Sequence, residues 1–491
     1  MKKHLVVGSA VAGSLVIAGA AFGAAPLVAS PGASPFTGCT ADHVAEQQQG
    51  GSRVYPGSEI EPRSARFGTT IVGEYQQDRW SDGGARGLVA SVSHDNGASW
   101  HRVLVPGLTA CVGGGYLRAS DPWVSFAPDH TLYAISLSFF GTSNPNDNAI
   151  LVSRSTDLGD SWEAPVALAA DSTDGLDKES ITADPNDANY VYAAWDRVLS
   201  PGGSLRASDQ GLIHSRSFKS QTFIARTTNG GSTWEKPQQV FVDSSFSGSI
   251  GSIVRVGSGS TVLDGLLTYG SAAWKGGPCG SVAVLRSTDR GDTWEGKPVI
   301  VAPYSCTYGG AHNPDSGLPL RTGGLVDFQT RGSNAYLVWE DAVPSRPTRG
   351  QILFSESSDN GRTWSTPIVV SHTRSVQDVD AFIPSIAVNS AGKVGVAYYD
   401  FRNDQPGGIA STDLWLTTCG GTCSSQGSWS ADMRVTPSSF DMSAAPVAGG
   451  QFLGDYMGIT TSGTSFEPFF IQSGTPPVAD GPTDAFFATL P

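Results

Sequence analysis

The stretch Ser93–Trp100 reads SHDNGASW, and its pattern returns as STDLGDSW (155–162), TTNGGSTW (227–234), STDRGDTW (287–294) and SSDNGRTW (357–364). The shared form is S/T-x-D/N-x-G-x-S/T-W, with the tryptophans at intervals of 62, 72, 60 and 70 residues. Each copy has the chemistry of a tight reversal. The Asp or Asn side chain (Asp95, Asp157, Asn229, Asp289, Asp359) accepts N–H bonds from residues ahead of it, and Gly supplies a positive φ. The Trp opens the returning strand and packs its ring between sheets. Runs such as NAILVSRS, SVAVLRS and QILFSES precede the turns and read as strands. Five copies amount to a repeat, and the repeat makes the turns structural. The closing Glu and twelve-residue spacing of a calcium loop are missing.

Between turns, each unit carries four strand-like pieces, clearest in FIPSIAVN, KVGVAYYDF, DLWLTTC and WSADMRVT (A to D). A sixth interval reaches Trp429 in CSSQGSWS, and the last unit has three pieces without a fourth. The motif is identified as the Asp-box or BNR repeat. From about Glu59 to Pro491 the chain resembles the sialidase-like propeller superfamily. The expected fold is all-β: a propeller of four-stranded antiparallel blades, seven by the unit count, or six as in typical sialidases. A ring with an open edge is untenable, so the segment 31–58, around Gly51–Pro56, is expected to supply the closing strand of the last blade.

Composition agrees. Sixty glycines and 12 tryptophans among 491 residues, with 4 methionines, suit turns and aromatic-packed sheet. A net charge of −14 argues against nucleic acid or an anionic membrane surface as partner. Residues 1–30 open with Lys2 and Lys3 before an apolar run, the pattern of a secretory signal cut between Gly23 and Ser30. Left uncut, the run is long enough to anchor the chain in a bilayer. A secreted, cell-surface or periplasmic monomer is expected, free of the membrane once the signal is removed. Six cysteines in an exported chain suggest disulfides: Cys419 with Cys423, Cys279 with Cys306, and Cys39 with Cys111. No cofactor or metal is expected, since CGGTC has no second Cys or His pair at zinc spacing.

Antiparallel strands put the recurrent turns on one face and the B–C and D–A corners on the other. At those corners stand Glu61, Asp121, Asp177-Lys178-Glu179, Arg321, Asp380 and Asp455-Tyr456, together with the phrases QDRW, WDR and YDFR that carry Arg79, Arg197 and Arg402. Planar guanidinium groups suit a carboxylate or a hydroxyl-rich sugar. The competing reading has each Arg paired with the Asp of its own corner. The resemblance implies a glycoside hydrolase acting on exposed glycans, with Tyr456 as nucleophile, Asp121 or Glu179 as general acid, and Arg79, Arg197, Arg402, Arg321, Asp177, Lys178 and Asp455 binding substrate. Trp80, Trp195, Trp339, Tyr399 and Phe401 are candidates for stacking on sugar faces. The chain departs from the sialidase pattern at Glu59-Ile60-Glu61-Pro62, where Ile60 stands in place of the F-R-I-P arginine; sialic acid itself is therefore in question. A non-catalytic propeller that binds glycans or proteins, and a polysaccharide lyase with Tyr456 as base, are the alternatives.

Overall fold

The computed structural model describes residues 25–141, 147–199, 219–242, 248–270, 280–305, 308–373, 379–405, 407–474 and 481–491. Seven antiparallel sheets follow one another in the order A to D, with strand A at the centre. Their inner strands are Val54–Phe67, Arg118–Phe126, Gly175–Ala183, Gly248–Val256, Val326–Arg331, Ala381–Val388 and Gly458–Ser462. Each inner strand packs on the next, and the seventh on the first, so the sheets form a closed ring around an axial channel. Blades 1 and 2 also share one bridge, Ala85↔Ala119. The protein is a seven-bladed β-propeller.

The five repeated turns lie between strands C and D of blades 1 to 5, and their geometry is nearly constant. In the first, Ser93 Oγ donates to Asp95 (2.8 Å) and accepts from Gly97 N (2.8 Å), while Asp95 accepts from Ser99 N (2.9 Å) and Ser99 Oγ (2.6 Å). Gly97 sits at φ 85°, and a Cβ there would fall 2.2 Å from the Phe487 ring. That ring belongs to the seventh blade, so the turn also fastens neighbouring blades, with Trp100 packed on Phe487 and Phe469. In blade 6 the corresponding corner is tied by the Cys419–Cys423 disulfide, and Cys419 bridges to Trp429. The Cys279–Cys306 pairing lies outside the described residues.

Ring closure departs from the sequence expectation. The fourth strand of blade 7 is Leu27–Val28, paired with Phe487 and Phe486. Gly51–Pro56 instead leads into strand A of blade 1, which begins at Val54. The physical reason is the length of the first inner strand. It runs 14 residues and uses its first half to pair with Tyr55↔Arg79 and Val54↔Trp80, so those residues have no free edge to offer. Beyond the closing pair, Ala29 N donates to Ala485 O (2.8 Å) and Ser30 Oγ accepts from Ala485 N (3.1 Å). The segment that follows docks on blades 1 and 2 through the Cys39–Cys111 disulfide, Arg86 to Asp42 (2.5 Å) and Arg118 to Gln47 (2.9 Å). Among the described residues no helix is long and apolar enough to cross a membrane.

Two expectations follow for stability. A chain starting at Pro31 lacks the closing strand, and its Tm should fall by about 3–8 °C against one starting at Pro26; a mature N-terminus after Leu27, read by N-terminal sequencing, would contradict this closure. Asp157→Ala leaves turn donors to exposed solvent and should cost about 1 kcal/mol in thermal or urea denaturation.

Candidate functional site

One irregularity of the inner strand organises the channel mouth. In blades 1, 2, 3, 4 and 6, strand A carries one extra residue relative to strand B, at Ile60/Arg63, Ser120/Trp123, Asp177/Ser180, Ile250/Ile253 and Phe382/Ser385. Each bulge holds a residue at positive φ: Glu61 (52°), Asp121 (53°), Lys178 (54°), Gly251 (77°) and Ile383 (49°). Only the fourth is glycine. The next residue is Pro62, Pro122, Glu179, Ser252 or Pro384. Proline is tolerated because a bulged residue leaves the ladder unpaired. Three successive blades thus bring an ionisable side chain to the same place around the axis.

Those side chains join one buried network. Lys178 Nζ lies 3.0 Å from Asp121 and 3.7 Å from the centre of the Tyr456 ring. Arg321 grips Asp455 with two bonds (2.8 and 3.3 Å) and stacks on Phe452, whose ring Arg79 also approaches. Arg79 Nη1 donates to Gln76 Oε1 (2.6 Å), and Gln76 Nε2 donates to Ser120 Oγ (3.1 Å) and to the Glu61 carboxyl. Arg321, Asp177 and Asp455 are partly open to solvent; Glu61, Asp121 and Lys178 are buried beneath them.

The environment drives these carboxyls apart. Burial, then the nearby Asp121, pushes Glu61 up to about 8 and Asp177 up to about 7. Burial acts on Asp455 as well, but Arg321 and Lys178 outweigh it and hold Asp455 at about 2. Arg79 falls to about 10 through burial and its neighbour Arg321. Glu179 is raised well above the usual range by burial, and neither of its oxygens has a hydrogen-bond partner among the described residues. A void of about 10 Å³ lies beside it, lined by Trp123, Leu325 and Tyr456, about the room one water needs.

The structure brings Asp121, Asp177, Lys178, Glu179, Arg79, Arg321, Asp455 and Tyr456 to this network, and corrects the rest. Arg197 binds Asp171 and Asp174 (2.9 Å each), fastening its own loop. Arg402 is tied to Asp400 and Asp432 (2.5 Å each) and stacks on Trp415. Arg402 is held by the buried Asp400 of its own corner, as a buried carboxylate requires, whereas the buried Asp196 beside Arg197 is satisfied by Gly251 N and Ser249 and leaves Arg197 to the half-buried Asp171 and Asp174. Three converging arginines are therefore not assembled from Arg79, Arg197 and Arg402. The Tyr456 hydroxyl donates to the Pro122 carbonyl (3.1 Å), so its oxygen is engaged with backbone. Trp80, Trp195, Trp339, Tyr399 and Phe401 are at most 1% exposed and belong to the core. Sequence reasoning gave Glu61 no chemical role, and Gln76 was missed. The signal for Glu61 was available: Glu61-Pro62 repeats the phrase Asp121-Pro122 one blade earlier.

Stability should peak near pH 5. Glu61 (about 8), Asp177 (about 7) and Glu340 (about 7, raised by burial) keep protons in the folded state that the unfolded chain releases near pH 4–5. Their contribution is full below that range and is lost as pH rises to about 8. Asp455 and Asp289, held at about 2, contribute above pH 4 and lose this as pH falls through 2. Tm scanned from pH 3 to 9 checks this, and Glu61→Gln should flatten the alkaline arm.

No family model matches the chain, and no curated protein matches it. Solved structures do. A Hadza microbial sialidase is 14% identical at TM-score 0.44, over 86% of this chain and 73% of that one. The NanB sialidase of Streptococcus pneumoniae is 10% identical at 0.44, over 89% and 94%. An α-L-arabinofuranosidase of Fusarium graminearum is 12% identical at 0.44, over 75% and 92%. The chain is similar to these glycosidases.

Proposed function

We propose that the protein is an exported glycoside hydrolase that works on neutral, hydroxyl-rich sugars through carboxyl groups at the channel mouth. The observation that carries this is the cluster at the channel mouth in which Lys178 pairs with Asp121, Arg321 with Asp455 and Gln76 with Glu61, with Asp177 beside them; burial and Asp121 raise Glu61 and Asp177, while Arg321 and Lys178 hold Asp455 low. Such a pair divides acid and base roles at one pH. Glu61, raised to about 8 by burial and Asp121, donates to the glycosidic oxygen as the bond breaks, with Asp177, raised to about 7, as the second donor. Asp455, held low by Arg321 and Lys178, takes a proton from the water that attacks the anomeric carbon while the alcohol leaves with the acid's proton, and Lys178, Arg79 and Arg321 bind hydroxyls. The engaged Tyr456 hydroxyl and the loop-bound Arg197 and Arg402 speak against a tyrosine nucleophile with an arginine clamp for a sialoside carboxylate. They speak equally against a lyase base at Tyr456. Two disulfides and the N-terminal apolar run support export, and a monomer is the assembly that goes with this reading.

The same engaged groups favour a second reading, a propeller that binds glycans without cleaving them. A panel of fluorogenic glycosides decides between them. Turnover of a neutral aryl glycoside, with an aryl sialoside untouched, is expected. Glu61→Gln should lower kcat at least about 100-fold, whereas Tyr456→Phe should stay within a few-fold. No turnover of any glycoside, with glycan binding retained, would establish the binding protein.

Glu61→Gly offers an independent check. It removes a non-glycine residue from positive φ, a conformation worth about 1–3 kcal/mol of strain. Tm should hold or rise while turnover is lost.

A further inference from the structure

The axial channel is divided. Lys178 sits over Tyr456, Tyr456 packs on Trp123 (5.4 Å between centres), and Arg63 covers the other part of Trp123 at 3.8 Å. This column separates the acidic mouth from a second chamber of about 700 Å³ on the face of the recurrent turns, lined by the inner strands of all seven blades. The charged residues of its lining are Arg63, Arg66, Arg255, Arg290, Arg331 and one acid, Asp184. In a chain of net charge −14 this is a reversal of sign.

The rim arginines are occupied: Arg66 by Glu467, Arg290 by Asp187, and Arg331 by the carbonyls of Asn389 and Ser390. The two deep ones, Arg63 and Arg255, have one carboxylate near them, and Arg63 takes it. Asp327 takes Arg63 through two bonds (3.2 and 3.3 Å) and also accepts from Ser385 Oγ (2.6 Å), Ile386 N (3.0 Å) and Phe328 N (2.9 Å), which fills its lone pairs. Arg255 makes no ion pair among the described residues. Its Nε donates to Phe328 O (2.8 Å), and its Nη1 to Thr182 Oγ1 (2.9 Å) and Val254 O (3.0 Å). Three neutral acceptors therefore fix the guanidinium plane and leave the Nη2 edge without an acceptor among the described residues. Burial and the nearby Arg63 lower Arg255 to about 9, so it remains a cation at neutral pH. An arginine whose charge is only filling space is ordinarily solvated and free to move. Here the plane is held in advance, which removes the ordering cost of binding, and Arg63 adds a like charge that an incoming anion would relieve.

We propose that this chamber is a binding site for a small molecule bearing an oxyanion, a carboxylate or phosphate, that pairs with the free edge of Arg255. The ligand enters from the turn face and is independent of the chemistry at the mouth.

Isothermal titration of the whole protein at pH 7 and low salt tests this with inorganic phosphate, glucuronate and glucose. Saturable one-to-one binding of phosphate or glucuronate, but not glucose, is expected. Arg255→Met should weaken it at least about ten-fold, as loss of a charge-assisted hydrogen bond requires; Arg79→Met, at the mouth, should leave it unchanged. Arg255→Lys keeps the charge but not the planar edge, and should weaken binding several-fold even if the Met variant does not fold. Whichever of phosphate and glucuronate binds identifies the anion class. Binding of neither, equal affinity in Arg255→Lys and the parent, or loss in Arg79→Met with retention in an Arg255 variant, would overturn the proposal.

Discussion

An extra residue in the inner strand is the constraint on which the centre of this molecule depends. Strand A must pair with strand B and also turn its first residues toward the axis, where neighbouring blades crowd. A one-residue bulge does both, and it forces one backbone position into the left-handed region in five blades. Glycine would sit there without strain, yet Glu61, Asp121, Lys178 and Ile383 occupy four of the five positions. Each such residue costs about 1–3 kcal/mol unless its surroundings hold it. Three of the four are ionisable and face one another, so strain and chemistry fall in the same place.

The bulge also sets what fills the channel. Two residues after it, Arg63 and Trp123 meet Tyr456 and Lys178 in a column of two rings between two cations. Such contacts are worth about 0.5–2 kcal/mol each where water is excluded. Above the column carboxyls outnumber cations and several retain protons; below it guanidinium groups outnumber carboxylates.

The first bulge also fixes the surroundings of its preceding residue. Ile60, immediately before the first bulge, is fully buried and packs with Ala448 and Phe452. An arginine there would have to displace that apolar contact. The ring of Phe452 instead carries Arg79 and Arg321, which are spent on Gln76 and Asp455. Arg321 thus balances an internal acid, and Arg79 is held by a neutral amide.

The turn pattern marked the fold class, because S/T-x-D/N-x-G-x-S/T-W is satisfied by bonds within eight residues, and the strand-like pieces between and beyond its five copies carried the count to seven units. The sign of the local charge at the corners was equally legible. Pairing across blades was not. Whether Arg321 reaches outward or turns to Asp455, and whether the ring closes with Leu27–Val28 or with Gly51–Pro56, depends on contacts between residues far apart in the chain. The tertiary structure also decided the role of Glu61 and the unpaired edge of Arg255. Each follows from how a buried charge is shared among strands of different blades, and a carboxyl or guanidinium acquires its protonation state and its partners only once water has been removed from around it.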